Sequence, residues 1–377
     1  MAVKLGNGNW AVKEDKLLAY NDNSGRFFNK EFDFARGSIA TYVAKDGLIK
    51  SAASDVPRID FSDSTNGALL LEPQSTNLFT YSNEFRLWGE LSNASVITNA
   101  LVSPDGTLNA DEFVFDGTNN GRIEKTVPTT NGLVYTFSIY LKNKDIANPT
   151  QVFIGNEGGT QGEFVTITNE WQRFTTTQTA NGTSEYPRVN YNGIGSLYAY
   201  GAQFEQLPYA TSYIPTSGSA TTRLADVCNN SGSAQDFNSE QGVLYCEIAA
   251  LADDGTTRRF SISDGTNNNR VVIGYSSSNR FQFVISDGGS VVLNQLKTVS
   301  DITQFNKIAL FYKLNDCAIW INGQKVGVDT IATMPSGLNT INFNQGSSSE
   351  NLFGSVRDLQ VFTTALTDEQ LAALTTI

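Results

Sequence analysis

An all-β chain, with two β-sandwiches in tandem behind a loop-rich N-terminal segment, is the fold class that this sequence predicts. Three observations carry the prediction. Short runs such as Tyr135-Thr136-Phe137-Ser138-Ile139-Tyr140 alternate β-branched or aromatic residues with small polar ones, the period-two pattern of a half-buried strand. Turn signals rich in Gly, Asn, Asp and Ser separate these runs, and helical periodicity is almost absent. At 377 residues the chain is also too long for one ordinary core, so two or three domains are expected.

Residues 1–75 mix short apolar pieces with turns. Asp22-Asn23-Ser24-Gly25 and Asp46-Gly47 supply residues that tolerate positive φ, and 39–43 and 68–71 read as short strands. With so little periodicity the segment is expected to pack on neighbours, residues 31–77 on the first sandwich and 1–30 on another protein. Residues 76–217 read as the first sandwich, with strands over 110–115, 133–141, 151–154, 163–168, 172–177 and 196–204. Residues 218–236 read as a linker, entered through the Pro-, Gly-, Ser- and Thr-rich run 209–219. Residues 237–377 read as the second sandwich, with strands over 244–251, 259–263, 270–275, 280–286, 307–314, 318–321 and 355–362. Asn322-Gly323 is a two-residue type I′ hairpin signal, because both central positions need positive φ. Near the end, Thr367 and Gln370 form a capping box for a short helix that turns Leu371 and Leu374 toward the sandwich.

Composition excludes several functions. A net charge of −12, with Lys and Arg scattered, argues against a nucleic-acid or anionic-membrane partner. The absence of histidine removes imidazole acid–base chemistry, Ser-His-Asp and Cys-His nucleophile systems, and every His-containing zinc site. Cys228, Cys246 and Cys317 are too few and too far apart for a thiolate metal site or a disulfide framework, and read as small buried apolar residues. No apolar run has the length of a signal peptide or membrane span. A surface-type composition without an export signal fits a protein made in a bacterial cytoplasm and released by lysis.

The order of motifs carries a resemblance. The Gly6-Asn7-Gly8-Asn9-Trp10 start, Phe32 to Ser38, Asp46 to Ile49, Val56 to Asp60 and Leu69 to Leu78 resemble a segment at the front of structural proteins of tailed phages, especially crAss-like and other Bacteroidetes phages. Tyr81 to Phe85 with Trp88, Ser103 to Thr107, Glu170 to Phe174 and Gly201 to Glu205 resemble carbohydrate-binding-module-like sandwiches of phage proteins. The Trp320-Ile321-Asn322-Gly323 hairpin, the strand at 354–362 and the closing helix resemble the laminin-G or concanavalin-A-like jelly roll. The resemblance implies a virion protein on the particle exterior, a capsid (head) fibre or decoration subunit presenting lectin-like domains to host-surface or mucosal glycans. Tail fibre, tail-tip receptor-binding protein, polysaccharide depolymerase and a scaffolding protein absent from the mature particle are the alternatives. It further implies attachment to capsid or other virion proteins through the N-terminal segment, with Asn7, Asn9 and Trp10 as contact residues, and a homo-dimer or homo-trimer.

Candidate ligand-binding residues follow from chemistry. Aromatic rings hold the C–H face of a sugar while polar neighbours take its hydroxyls. Trp88 lies in an irregular segment and is a candidate glycan contact, whereas Trp171 and Trp320 sit inside strand patterns and read as core. Residues 185–193, with Tyr186, Arg188, Tyr191 and Asn192, read as a polar-aromatic loop of the composition used in adaptable binding surfaces, or as a plain solvated loop. Loops 116–122 and 264–270 offer Asp116 and Asp264 as calcium ligands, but hairpin turns favour the same residues, and no cofactor is expected. Residues 237–377 lack the Glu-x-Asp-x-x-Glu carboxylate set of concanavalin-like hydrolases, so no enzyme is expected.

Overall fold

The computed structural model describes residues 2–7, 10–20, 27–63, 65–146, 151–156 and 161–377. Its chain divides into a terminal unit (1–37, 52–73 and 225–377) and a central unit (38–51 and 74–224).

The larger sheet of the terminal unit runs Gln324–Asp329, Cys317–Ile321, Asn306–Lys313, Gln241–Ala250, Gly354–Phe362, Ala68–Leu71, Ile59–Asp60, with Ala2–Asn7 also paired to Gly354–Phe362. The second sheet runs Ser290–Thr298, Arg280–Asp287, Arg270–Ser276, Arg258–Ser263, Thr340–Asn342. Alternation builds the core: Leu244, Cys246 and Ile248 of one sheet and Phe281, Phe283 and Ile285 of the other share one buried cluster. The opposite face of the larger sheet is apolar too, because the helix Asp368–Thr375 covers it. Leu371 there meets Val243, Tyr245 and Trp320. The Thr367 hydroxyl accepts from the Gln370 amide and the Gln370 side chain accepts from the Thr367 amide, completing the expected capping box. Asn322 and Gly323 both have positive φ, 49° and 80°, as the type I′ turn requires. All three cysteines are free and buried, and burial pushes the Cys317 thiol up to about 11.

The N-terminal segment departs from expectation. It is not a collar ahead of two modules, because its strands complete sheets of the terminal unit. Ala2–Asn7 runs antiparallel to Gly354–Phe362, from Ala2 opposite Phe362 to Asn7 opposite Asp358, and Phe27–Ala35 pairs with Val227–Asn229. An unpaired sheet edge and a half-covered core are what the segment relieves. Of residues 31–77, 38–51 join the central unit, with the hairpin Ala40–Val43 and Ile49–Ala52, as do 74–77, so the expectation that 31–77 brace the first sandwich holds for those two pieces and not for 31–37 and 52–73. The expected linker is also structured: Thr221–Arg223 pairs with Ser75–Asn77 in the central unit, and Val227–Asn229 belongs to the terminal one. The predicted turn at Asp22-Asn23-Ser24-Gly25 lies outside the described residues.

The motifs of that segment have a physical reason. Arg36, Arg58, Glu72 and Asp226, none more than 2% exposed, form a buried ionic quartet in the terminal unit. Arg58 reaches Glu72 at 2.7 Å and Asp226 at 2.5 Å, and Arg36 reaches Asp226 at 3.1 Å. Asp226 also accepts the Glu72 amide at 2.8 Å, and Arg36 donates to the Ala53 carbonyl at 2.6 Å. Burial disfavours the Arg58 guanidinium, but the Glu72 and Asp226 carboxylates outweigh it and raise its pKa. Two cations and two anions thus pin three N-terminal stretches to the chain where it re-enters the unit.

The central unit packs the sheet Glu90–Ser92, Gly121–Glu124, Arg188–Tyr191, Gln151–Gly155, Gly162–Thr166 on the sheet Ala94–Val102, Leu108–Asp116, Ile194–Glu205, Val134–Asn143, Gln172–Thr179. Phe79, Phe85, Phe113, Phe137 and Phe204 fill the space between them. The exit run is latched to the last long strand. Glu205, fully buried, accepts from the Thr211 amide at 2.5 Å, the Thr211 hydroxyl at 2.9 Å and Gln203 at 2.5 Å, while Gln203 accepts the Ile214 amide at 2.6 Å.

Candidate functional site

Alternation along the first of the central unit's sheets decides which side chains face outward. Val152, Ile154 and Val189 point into the core, so Gln151, Phe153 and Asn190 lie on the opposite, outer face. Phe153 stands opposite Phe164 of the edge strand, the rings 5.6 Å apart and edge to face. Phe153 is buried, but Phe164 keeps 70% of its surface open. Two glycines make room for this ring pair: a Cβ at Gly162 (φ 154°) would meet the Ile154 carbonyl at 2.3 Å and the Phe153 ring at 2.6 Å. Phe164, Tyr191, Gln151, Asn190, Asn192 and Gly193 line a shallow depression of about 250 Å³. Tyr191 packs edge to face on Phe115, 5.7 Å between centroids. Asn192 accepts the Asn120 amide at 2.8 Å, and Asn190 donates to the Asn120 side chain at 3.3 Å, which fixes the amide groups. The result is an exposed ring beside oriented amides, chemistry that fits the C–H face and hydroxyls of a sugar.

Of the predicted glycan contacts, Tyr191 and Asn192 are brought together here and the others are not. Trp88 is 2% exposed, stacked on Phe79 at 4.6 Å and against Phe85 at 5.0 Å, with its indole N–H donated to the Tyr81 carbonyl at 2.7 Å. Its segment is the short 3-10 helix Phe85–Trp88, which turns Phe85 and Trp88 inward, and the ring is core. Residues 188–191 are a strand rather than a loop, and Arg188 is 7% exposed, 3.3 Å from Glu124. Tyr186 is half-buried, its amide donating to Asn156 at 2.5 Å. Phe164, Gln151 and Asn190 escaped notice. The one signal was that Phe164 and Val165 are adjacent apolar residues on a short strand, so one of them must face outward. Trp320 is buried at 7% exposure, as expected, whereas Trp171 is half-buried and donates to the Val102 carbonyl at 3.2 Å.

The other predicted sites resolve differently. Trp10 is 7% exposed and packs on Phe32, 6.1 Å between centroids, inside the terminal unit's own core, so it is not presented to a partner. A large ring closes the open end of a core more readily than it stands in water. Asn7 ends a strand, and Asn9 lies outside the described residues. Asp116 accepts the Thr118 amide at 2.8 Å, and Asp264 accepts from Thr266 at 2.9 and 2.6 Å and from Asn269 at 2.8 Å. Both loops are therefore Asx-type turns. Burial works against ionisation of Asp264, but those hydrogen bonds hold it below the usual carboxylate range. Among the described residues no group of three acidic, Cys or His side chains converges on a metal position.

A second, larger cleft of about 690 Å³ in the central unit includes Asn83, Glu84, Arg86, Asn99, Asn109 and Asp111. Burial raises the Asp111 carboxyl to about 6, against the opposing hydrogen bonds it accepts from the amides of Asn99 (3.0 Å) and Phe85 (3.2 Å). Those two bonds occupy both oxygens and clamp the neighbouring turn.

A family profile described as the concanavalin A-like lectin/glucanases superfamily matches residues 245–372. No curated protein matches the chain. Among solved structures, the chain is similar to the CBM40 of Ruminococcus gnavus IT-sialidase bound to α2,3 sialyllactose, at 18% identity over 40% of this chain and 94% of that one, TM-score 0.34. It is also similar to domain 4 of AbnA, a GH43 arabinanase of Geobacillus stearothermophilus in complex with arabinotriose (12% identity, 44% and 82% covered, TM-score 0.34). Domains LG4-5 of the mouse laminin α1 chain are a third similar structure (10% identity, 69% and 92% covered, TM-score 0.27). Likenesses this distant carry no argument about what this chain binds. The chain is all-β, and its C-terminal part carries a lectin-type jelly roll.

Proposed function

We propose that this protein is a non-catalytic, lectin-like adhesin that binds neutral glycans weakly through the Phe164 platform, and that it is displayed in several copies on a phage particle. The observation that supports it most is the ring of Phe164, 70% exposed beside Tyr191 and the two oriented amides of Asn190 and Asn192. A sugar stacked on the ring removes its apolar face from water while its hydroxyls meet the amides. Among the described residues no carboxylate lines the platform, and the two oxygens of Asp111 in the larger cleft already accept backbone amides. Both features support a binding rather than a hydrolytic role. The virion setting rests on the motif order of the first 78 residues. Head fibre or decoration subunit is the preferred position, tail fibre the alternative. Repeated weak sites on one particle gain avidity from effective concentration.

A glycan array and a mucin pull-down with the native oligomer test the adhesive role. Binding of neutral oligosaccharides that Phe164→Ala removes supports it, and silence on both sinks it. Mass spectrometry of purified virions tests the setting, and absence of the chain from them refutes it. Release of reducing sugar from host capsule would replace the adhesin with a depolymerase.

A further inference from the structure

A cavity of about 540 Å³ lies in the terminal unit, between the closing helix and the outer face of the larger sheet. One wall is polar, with Glu247, Asp358 and Gln360, and the other apolar, with Phe362, Leu366 and Leu374. Gln360 is 3% exposed, and its Nε2 donates to Asp358 at 2.7 Å. Its Oε1 is buried against no hydrogen-bond donor among the described residues. A buried amide oxygen left without a donor costs about 1–3 kcal/mol, so something that brings a donor belongs there.

The chemistry of the walls narrows what that is. Glu247 accepts from Arg357 at 2.8 Å, and Lys307 lines the cavity while donating to the Thr376 carbonyl at 2.9 Å. The lining thus carries charges of both signs, with Arg357 on Glu247 and Lys307 in the wall, so a charged ligand of either sign gains little. The acceptor without a donor is the Gln360 amide oxygen, which calls for a hydroxyl group, and the apolar wall calls for a C–H face. We infer that this cavity binds a neutral sugar residue, a hydroxyl on the Gln360 amide oxygen and its ring against Phe362 and Leu374. This second site extends the glycan-binding reading to the other unit but shares no residue with the Phe164 platform.

The test is a set of amide-resolved NMR titrations of the full chain with methyl α-D-mannopyranoside, methyl β-D-galactopyranoside and N-acetylglucosamine. At least one sugar should shift the amides at 245–247, 358–362 and 366–374. Ala373 is an exposed helix position on the cavity rim, so Ala373→Trp fills the mouth without disturbing the core. That variant should weaken the response about tenfold, as should Gln360→Met, while Phe164→Ala leaves it unchanged. No shift with any sugar, shifts that survive Ala373→Trp, or shifts produced by lysine methyl ester in place of sugars would each overturn the inference. Cavity shifts in a protein silent on the glycan array sink the platform alone and support the cavity. Array binding lost in Phe164→Ala, with silent cavity amides, sinks the cavity alone.

Discussion

Replacing Asp226 with alanine removes the acceptor that two buried guanidinium groups share. Arg58 loses its 2.5 Å contact, Arg36 its 3.1 Å contact, and the Glu72 amide its 2.8 Å bond. Glu72 remains, 2.7 Å from Arg58, so the quartet is left with two cations and one anion at positions no more than 2% exposed. Breaking a buried pair by deleting one partner costs about 3–5 kcal/mol, because the surviving charge stays buried. At about 2–4 °C per kcal/mol for a unit of this size, the terminal unit should melt about 6–20 °C lower. Calorimetry measures the shift. Hydrogen exchange at the Leu70 amide, which donates to the Arg58 carbonyl, and at the Asp226 amide, which donates to Glu72, assigns it to the terminal unit. Asp46→Ala, which breaks the exposed Asp46–Lys50 pair, serves as control and should leave the midpoint unchanged. A loss below about 1 kcal/mol for Asp226→Ala would show that the quartet does not hold the N-terminal stretches in place.

Further outcomes are expected. Deleting residues 1–7 strips the strand paired to 358–362, so exchange should rise there and the terminal unit should unfold earlier by calorimetry; a fully stable truncated protein would contradict the pairing. Leu371→Ala should cost about 2–5 kcal/mol in urea unfolding and shift Trp320 fluorescence to the red, since both residues share the cluster beneath the helix. The Asp111 carboxyl is raised from 3.8 to about 6, so its contribution to stability is full below the unfolded value and lost as pH rises to about 6. Urea midpoints across that window should fall with pH in the parent and flatten in Asp111→Asn; parallel curves would refute it.

The fold was legible where the chain obeys a local rule. The period-two runs, the Asn322-Gly323 turn and the Thr367 capping box are each decided by neighbours in sequence, and their strands and helix stand close to where the pattern puts them. The N-terminal segment was not, because its order comes from distant partners: Arg36 and Arg58 find Asp226 more than 160 residues away. Arg36, Arg58 and Glu72, which fall in the motifs that carry the phage resemblance, and Gln203 and Glu205 in the central unit prove to be buried polar latches. Such residues mark a fold, and they say little about a ligand. The site was half legible for the same reason. Tyr191 and Asn192 were found by composition, but Trp88 went to the core because an irregular backbone does not mean an exposed side chain. Phe164 was missed because exposure on an outer sheet face depends on register with Phe153, which a single strand does not reveal.

The measurement that bears most directly on the adhesive role is saturation-transfer NMR of the intact protein with a neutral oligosaccharide selected on the array, in the parent, Phe164→Ala and Ala373→Trp proteins. Recognition at the platform predicts transfer to the sugar ring protons in the parent, its sharp loss in Phe164→Ala, and its persistence in Ala373→Trp. Equal transfer in the parent and in Phe164→Ala would mean that the exposed ring is not where this protein holds a glycan.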